Sequence, residues 1–253
     1  MGGNALKEYY NTAYFRKPEE LFKDEDRLKK VLKILVKYGG GVFLDIGCGN
    51  GGITVVLREA MKSEQAYGVE VSPEGVSLAN QKGIKAYETD VSTSKLPFKD
   101  EFFDVVFCGE VIEHLFDTDF LLKEVYRTLK QGGTLILTTP NLGAWYNRIS
   151  LLFGFQPSIS VSLQNPELGK PFRNAFKKQS AGGSEAHIRF FTKRALEELL
   201  IIHGFEILTT QGSYYSAPKN HHSILKAMFL FDKFYAHFPS MATDLIVEVR
   251  KIK

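Results

Sequence analysis

Apolar positions along this chain fall into two alternating patterns. Short apolar runs at 42–46, 66–71, 84–88, 103–108 and 134–139 read as strands. Between them, stretches at about 52–62, 73–82 and 118–129 repeat their apolar residues at helical spacing. That alternation predicts an α/β sandwich of three layers, with helices on both faces of a mostly parallel, doubly wound sheet. Asp117 or Thr118 is placed to cap the 118–129 helix, and Gly132 or Gly133 to close it. Further on, Thr192 caps a predicted helix from Lys193 to His203, which Gly204 ends. Strands from Phe205 to Gln211 and from Asp244 to Lys251 complete the series.

Ahead of it, Leu28, Val31, Leu32, Leu35 and Val36 recur at helical spacing, with Arg27, Lys29, Lys30, Lys33 and Lys37 between them. This predicts an amphipathic helix with a solvated basic face, ended by Gly39 to Gly41. Residues 4–22 also read as helical, around the cluster Tyr9, Tyr10, Tyr14 and Phe15. The chain is expected to form a single domain over 1–253, with 1–38 as an N-terminal helical segment. Two segments lie outside the alternation. Residues 142–190 are far longer than an ordinary strand–helix connection and carry Trp145 to Phe155, then Lys170, Arg173, Lys177 and Lys178. Residues 213–240 hold an aromatic-rich helix from Ile224 to Phe238. Both are expected to cap an acceptor site, because long insertions at a ligand face are usually functional.

The chemistry is concentrated in Val42–Gly52, an apolar run that ends in a glycine turn and leads into a helix. Gly47, Gly49 and Gly51 fit G-x-G-x-G, and Gly47, Gly49 and Gly52 fit the dinucleotide pattern G-x-G-x-x-G. The glycines alone leave the cofactor open. Asp45, two residues before Gly47, narrows it. A carboxylate beside a pyrophosphate is repelled, whereas one beside an ammonium or sulfonium is attracted. That argues against a nicotinamide oxidoreductase and for S-adenosylmethionine. Glu70 ends the second strand about 20 residues after the glycines, where a carboxylate takes ribose hydroxyls.

With these residues the chain resembles the class I S-adenosylmethionine-dependent methyltransferases. The resemblance runs from about Val42 to Asn141, and more loosely to Gln211. Its carriers are Leu44 to Gly51, Gly68 to Val71, Glu88 to Val91, Phe103 to Leu115 and Leu129 to Gly133. It implies a seven-stranded, Rossmann-like sheet whose last strand inserts antiparallel between its neighbours. It also implies cofactor contacts from Asp45, Gly47, Cys48, Gly49, Gly51, Glu70, Val71, Asp90, Val91 and Glu110, with Tyr67 and Pro73 flanking the adenine. Pro140-Asn141 and the stretch from His187 to Thr192 resemble a subgroup that includes ubiquinone-biosynthesis O-methyltransferases. In that subgroup such elements place side chains over the acceptor.

Glu110, Glu113 and His114 follow the fourth strand, at the open face where such sheets bind ligands. His114, Glu113 and His187 are the catalytic candidates, since an imidazole near neutrality can take a hydroxyl proton. Glu110, Glu113, His114 and His187 are also oxygen and nitrogen donors, but Glu110 is needed at the cofactor, so no metal is assigned.

Composition changes this picture little. The net charge of +3 is too small to imply nucleic acid. No apolar run reaches a membrane span and the N-terminus has no signal-like stretch, so a cytoplasmic location is expected. Cys48 and Cys108 lack zinc-ligand spacing. Both end neighbouring strands and are expected as reduced, buried thiols that lie close together. The function expected is methyl transfer to a small or lipid-like acceptor, most simply at oxygen, with peripheral membrane contact open. The alternatives are RNA 2'-O-methylation, suggested by the basic residues of the insertion, and cofactor binding without turnover.

Overall fold

The computed structural model describes residues 26–158, 168–170, 187–214 and 223–252. The aromatic cluster at Tyr9 to Phe15, and Arg173, Lys177 and Lys178, lie outside them. The elements run α1 (Asp26–Leu35), β1 (Val42–Ile46), α2 (Gly52–Met61), β2 (Gln65–Glu70), α3 (Pro73–Gln81), β3 (Lys85–Glu88) and β4 (Phe103–Gly109). A 3-10 turn (Ile112–His114) follows, then α4 (Thr118–Thr128), β5 (Leu129–Pro140), α5 (Trp145–Leu152), α6 (Lys193–Ile202), β6 (Phe205–Ser213), α7 (Ser223–Tyr235) and β7 (Asp244–Lys251). The seven strands lie in the order β3-β2-β1-β4-β5-β7-β6. All pairs are parallel except those of β7, which runs antiparallel to both β5 and β6, as expected.

Two apolar layers cover the sheet, one on each side. Along each buried strand, neighbouring residues feed opposite layers, the period-two rule of a pleated strand. Phe43, Val105, Ile136 and Ile246 pack under α1, α2 and α3, through Val31, Leu35, Leu57, Met61 and Ala79. Leu44, Val106, Leu135 and Val247 pack under α4 and α6, through Leu121, Leu122, Val125, Leu196 and Leu200. The same alternation overturns one expectation. Cys48 belongs to the first layer and Cys108 to the second, so the two thiols sit on opposite sides of the sheet. Both are free and buried.

Asp117 caps α4 by accepting from the Phe120 N–H at 2.9 Å, and Thr192 caps α6 through the Ala195 N–H at 3.3 Å. The end of α4 departs from expectation. Leu129 is already in register with Phe103, so the helix stops at Thr128 and Gly132 and Gly133 fall within β5. α1 ends at Leu35, which leaves Val36 outside the buried stripe; Ile34 takes its place. No helix of the described residues is long and apolar enough to cross a membrane.

The two insertions meet at Asn141, just past β5. Its amide donates to the carbonyls of Pro239 (3.2 Å) and Ala242 (2.8 Å), and its oxygen accepts from the Gly143 N–H at 2.8 Å. Asn141 also bridges Phe191, and the Leu142 N–H donates to the Phe191 carbonyl at 2.8 Å. Trp145 opens α5, stacks on Tyr235 of α7 at 5.6 Å and donates its indole N–H to Asp232 at 3.1 Å. These rings are used on one another, as a small auxiliary core.

Gly68 of β2 packs closely against the turn that follows β1. A Cβ there would stand 2.5 Å from Cys48 Sγ. Gly68→Ala is expected to cost about 1–3 kcal/mol in a thermal or urea melt, the range for overpacking a filled core. Adding Cys48→Ala should recover part of that loss. Strictly additive single and double variants would show that the contact is not the cause.

Candidate functional site

The strand order reverses between β1 and β4, and ligands of open α/β sheets bind outside the carboxyl ends of the strands at such a point. The glycine turn occupies the β1 side. Gly47, Gly49 and Gly51 have φ of 75°, 53° and 74°, a region that favours glycine. At Gly47 and Gly51 the space is also closed. A Cβ would meet Val111 Cγ2 at 2.5 Å in the first case and Ala79 Cα at 2.9 Å in the second. At Gly49 nothing lies within 4 Å, so there the main chain borders open space.

The N–H groups of this turn are already used. Those of Gly47 and Cys48 donate to the Val69 carbonyl, and that of Gly51 to the Cys48 carbonyl. The Gly49 N–H donates to Glu70 Oε2 at 3.0 Å, and the Gly52 N–H to Asn50 Oδ1 at 3.0 Å. A phosphate cradle needs such donors free. Here those of Gly47, Cys48, Gly49, Gly51 and Gly52 are committed, and the charged groups at the turn are the carboxylates of Asp45 and Glu70.

Asp45 is buried, with the Thr54 hydroxyl donating to Oδ2 at 2.6 Å. Burial raises its carboxyl to about 7; the Thr54 bond pulls the other way and the charge of Glu70 adds to the rise. Glu70 ends β2 and ties the turn to the start of α3, since Oε1 accepts from the Ser72 N–H at 2.9 Å. Val71 follows it, half-buried. Asp90 is exposed beyond β3 and holds a tight turn by accepting from the Ser92 N–H at 3.0 Å and from the Ser92 hydroxyl. Val91 beside it packs on the apolar layer.

Three of the expected cofactor residues have side chains engaged within the protein. The Cys48 thiol is turned under the sheet against Gly68, and burial raises it far above a reactive thiol. The turn has only the main chain of Cys48 to offer. Tyr67 is buried edge-on among Phe98, Phe102 and Phe103, so its ring belongs to the core. Glu110 is engaged within the protein. Its Oε2 pairs with Arg27 of α1 at 2.6 Å, and its Oε1 accepts from the Thr138 hydroxyl at 3.0 Å. Glu110 adopts φ 57°, uncommon outside glycine.

On the β4 side, the 3-10 turn and the end of the first insertion close on each other. The Glu113 carbonyl accepts from the Ile188 and Arg189 N–H groups, both at 2.9 Å, and Arg189 donates to the Leu115 and Phe116 carbonyls. That clamp carries His187 to Glu113, with Nε2 4.0 Å from Oε1. The rings of His114 and His187 meet edge-to-face at 4.7 Å. Glu113 is fully buried, with the Thr139 hydroxyl donating to Oε2 at 3.1 Å. Burial first, and then the charge of Glu110, push its carboxyl well above the usual range; the Thr139 bond and Arg27 oppose this. The three catalytic candidates are thus brought together, 73 residues of chain separating His114 from His187 in sequence. Asn141 is not among them: it is buried and structural. Sequence reasoning missed Arg27, which looked like one more cation of a solvated face, and Thr54, Thr138 and Thr139, which carry no local motif.

Residues 44–137 match the family described as a methyltransferase domain. The chain is 32% identical over 118 residues to 27-O-demethylrifamycin SV methyltransferase of Amycolatopsis mediterranei, covering 44% of this chain and 42% of that protein. It is 32% identical over 114 residues to demethylmenaquinone methyltransferase of Lactobacillus johnsonii, covering 42% and 46%. It therefore spans less than half the length of each of these relatives. A crystal structure from Thermotoga maritima, described as an S-adenosylmethionine-dependent methyltransferase and possible histamine N-methyltransferase, superposes with a TM-score of 0.58 at 20% identity, covering 98% of this chain and 95% of that one. Residues 44–137 are thus similar to a methyltransferase domain, and the chain shares the fold of a solved S-adenosylmethionine-dependent methyltransferase. The residues present are compatible with that cofactor: a glycine turn bordering open space at Gly49, a buried carboxyl at Asp45 and a carboxylate at Glu70 beside the turn.

If Asp45 receives the cofactor's cationic end, it must be ionised to do so. Binding below pH about 7 then expels a proton. Affinity for S-adenosylhomocysteine should rise with pH, by up to about tenfold per unit, and level off above that value. Calorimetry in buffers of different ionisation enthalpy should detect the released proton, and Asp45→Asn should flatten the profile. A profile equally steep in the variant would remove Asp45 from the site.

Proposed function

We propose that the chain transfers the methyl group of S-adenosylmethionine to an oxygen of a small or lipid-like acceptor. The observation that carries this is the convergence of Glu113, His114 and His187 across the switch point from the glycine turn. When bound, the cofactor supplies a methyl group on a sulfonium, ready for in-line displacement. The chain supplies position and proton handling. Asp45 and the Gly47–Gly51 turn hold the methionine end, Glu70 the ribose and Asp90 with Val91 the adenine. Glu110 lines the methionine end from the β4 side, its carboxylate steadied by Arg27. His114 and His187 face the acceptor hydroxyl, and an imidazolium formed at His187 lies beside Glu113 Oε1. When Glu113 is in its carboxylate form it stabilises that charge, and the proton taken from the acceptor stays on His187 until it passes to solvent.

An apolar acceptor is supported by the surroundings of this cluster. Phe116, Ile188 and Phe190 come from the two segments that form it and are exposed, Phe116 at 77%. Exposed apolar surface beside a polar cluster is the usual composition of a ligand site. The stretch around Leu151 to Phe155 and the outer side of α7, both largely exposed, extend that surface as an acceptor cap. The names of the two relatives, one acting on a demethylrifamycin and one on demethylmenaquinone, agree with an organic acceptor.

The test is transfer of labelled methyl from S-adenosylmethionine into a total cell extract. Label in the organic phase is expected. Label confined to RNA would overturn the proposal, as would tight S-adenosylhomocysteine binding without any transfer. Once an acceptor is found, His187→Ala and His114→Ala should each lower kcat by about 10²–10⁴-fold while leaving S-adenosylhomocysteine affinity unchanged.

A further inference from the structure

The two insertions present more apolar surface than their mutual packing uses. Inward, Trp145 stacks on Tyr235, and the Trp145 indole and the Thr243 hydroxyl donate to the buried Asp232. Outward, each segment carries a second apolar stripe at helical spacing. On α5 it is Ile149, Leu152 and Phe153, and from α7 onward it is Phe231, Phe234 and Phe238. Leu151 and Phe155 flank the first stripe and Leu230 the second, all exposed. The Trp145 N–H donates to the Met241 carbonyl at 2.9 Å and Arg148 to that of Ser240 at 2.9 Å, so both stripes stand on one joined unit. At about 150–250 Å² per aromatic side chain, the five exposed phenylalanines of this unit alone present roughly 500 Å². That matches the largest apolar patch of an ordinary monomer, a size that marks an interaction surface.

Charge says what covers it. Residues 142–190 and 213–240 together hold nine lysines and arginines against three acids, whereas the rest of the chain holds 23 against 26. On α5 and α7 the acid is Asp232, which is buried, while Arg148 and Lys233 are exposed. A second copy of this chain would set like charges against each other. Nor does the face offer the polar groups that fix a protein partner's orientation. From Ile149 to Phe155 there is one side-chain hydroxyl, Ser150, and it is spent on the Tyr146 carbonyl at 2.9 Å. We propose that this face docks on an anionic lipid bilayer, with the phenylalanines and leucines set into the headgroup boundary and the cations against lipid phosphates. Helices rich in Phe, Leu and Lys lie in that interface, held by apolar burial and by attraction to anionic lipid together.

The docking face and the cluster at His187 share one anchor. Asn141 donates to the Pro239 and Ala242 carbonyls below α7 and bridges Phe191, four residues past His187. A lipid-like acceptor held in the bilayer would thus be presented on the side of the sheet where the cluster lies. That consequence rests on the proposed function; the docking itself does not. Asp45, Glu70 and the glycine turn are not involved, so loss of docking leaves cofactor binding intact.

Sedimentation with vesicles of phosphatidylcholine and phosphatidylglycerol in equal parts tests this without acceptor or turnover. The protein should sediment with them, bind pure phosphatidylcholine vesicles about tenfold more weakly, and be released as salt rises. Trp145 is the single tryptophan of the chain, so brominated lipid should quench its emission. Phe231→Ser combined with Phe234→Ser, and separately Lys233→Glu, should each weaken binding by about tenfold. Ile202→Ser should not, because Ile202 is exposed at the opposite end of the sheet, where Phe205 faces Lys251. Absence of vesicle binding overturns the proposal, and so does equal binding to neutral vesicles or by both variants. A dimer formed without lipid and abolished by the phenylalanine variant overturns it as well, in favour of a second copy. S-adenosylhomocysteine affinity, unchanged in each variant, shows that the fold is intact, and methyl transfer reports separately on the proposed function.

Discussion

Burying carboxylates at one end of a sheet is the constraint on which this molecule turns. Asp45, Glu113 and Asp244 stand at or just past the ends of β1, β4 and β5's neighbour β7 on the same rim, each nearly or fully removed from water. A buried carboxylate is costly unless paired or hydrogen-bonded. The chain offsets the cost with hydroxyls, from Thr54 to Asp45, Thr139 to Glu113 and Ser213 to Asp244. It places one guanidinium, Arg27, 2.6 Å from Glu110 and 3.9 Å from Asp244. Single neutral hydrogen bonds do not match the hydration that a charge loses. Burial therefore drives the Asp45 and Glu113 carboxyls toward their neutral forms, and a positive charge brought near would favour ionisation.

The glycine turn expresses the same preference in main chain. Turns of this pattern serve both phosphates and cations, and the pattern alone does not tell which. The difference lies in where the N–H groups point. In this chain the Glu70 carboxylate takes the Gly49 N–H, and those of Gly47, Cys48 and Gly51 close on the carbonyls of Val69 and Cys48. Asp45 was enough to read this from the sequence, because a second acid at the turn makes a phosphate untenable.

Other features were legible for equally physical reasons, or illegible for want of a local cause. Strand and helix order followed from apolar period, since the central strands are covered on both sides and the helices packed on the sheet on one. The antiparallel β7 carried no mark of its own and was read through the family resemblance. The side of the sheet that each cysteine faces was readable by counting along β4, but only once its register with β1 was known. Arg27 was lost among the lysines of α1 because helical spacing says which face is apolar and nothing of what the other face meets. Tyr67 was assigned to the cofactor from its place in the motif, whereas its ring is drawn inward by Phe98, Phe102 and Phe103. Motif position speaks for main chain more reliably than for side chains.

The β4 side of the site exists only because distant chain is returned to it. Glu113 and His114 lie together in any fold that keeps the 3-10 turn, but His187 arrives at the end of a long insertion. Its return is pinned twice. Asn141 holds Phe191 beside the end of β5, and the Glu113 carbonyl takes the Ile188 and Arg189 N–H groups. Along that short stretch His187 and Phe191 turn inward, while Ile188, Arg189 and Phe190 remain exposed. One backbone conformation thus sets a polar group against Glu113 and an apolar lip outside it. The pinning at Asn141 also ties this stretch to Pro239 and Ala242, ahead of β7. Both insertions are consequently anchored at one residue on the rim, through the Asn141 side-chain amide on one side and the main-chain bridge to Phe191 on the other.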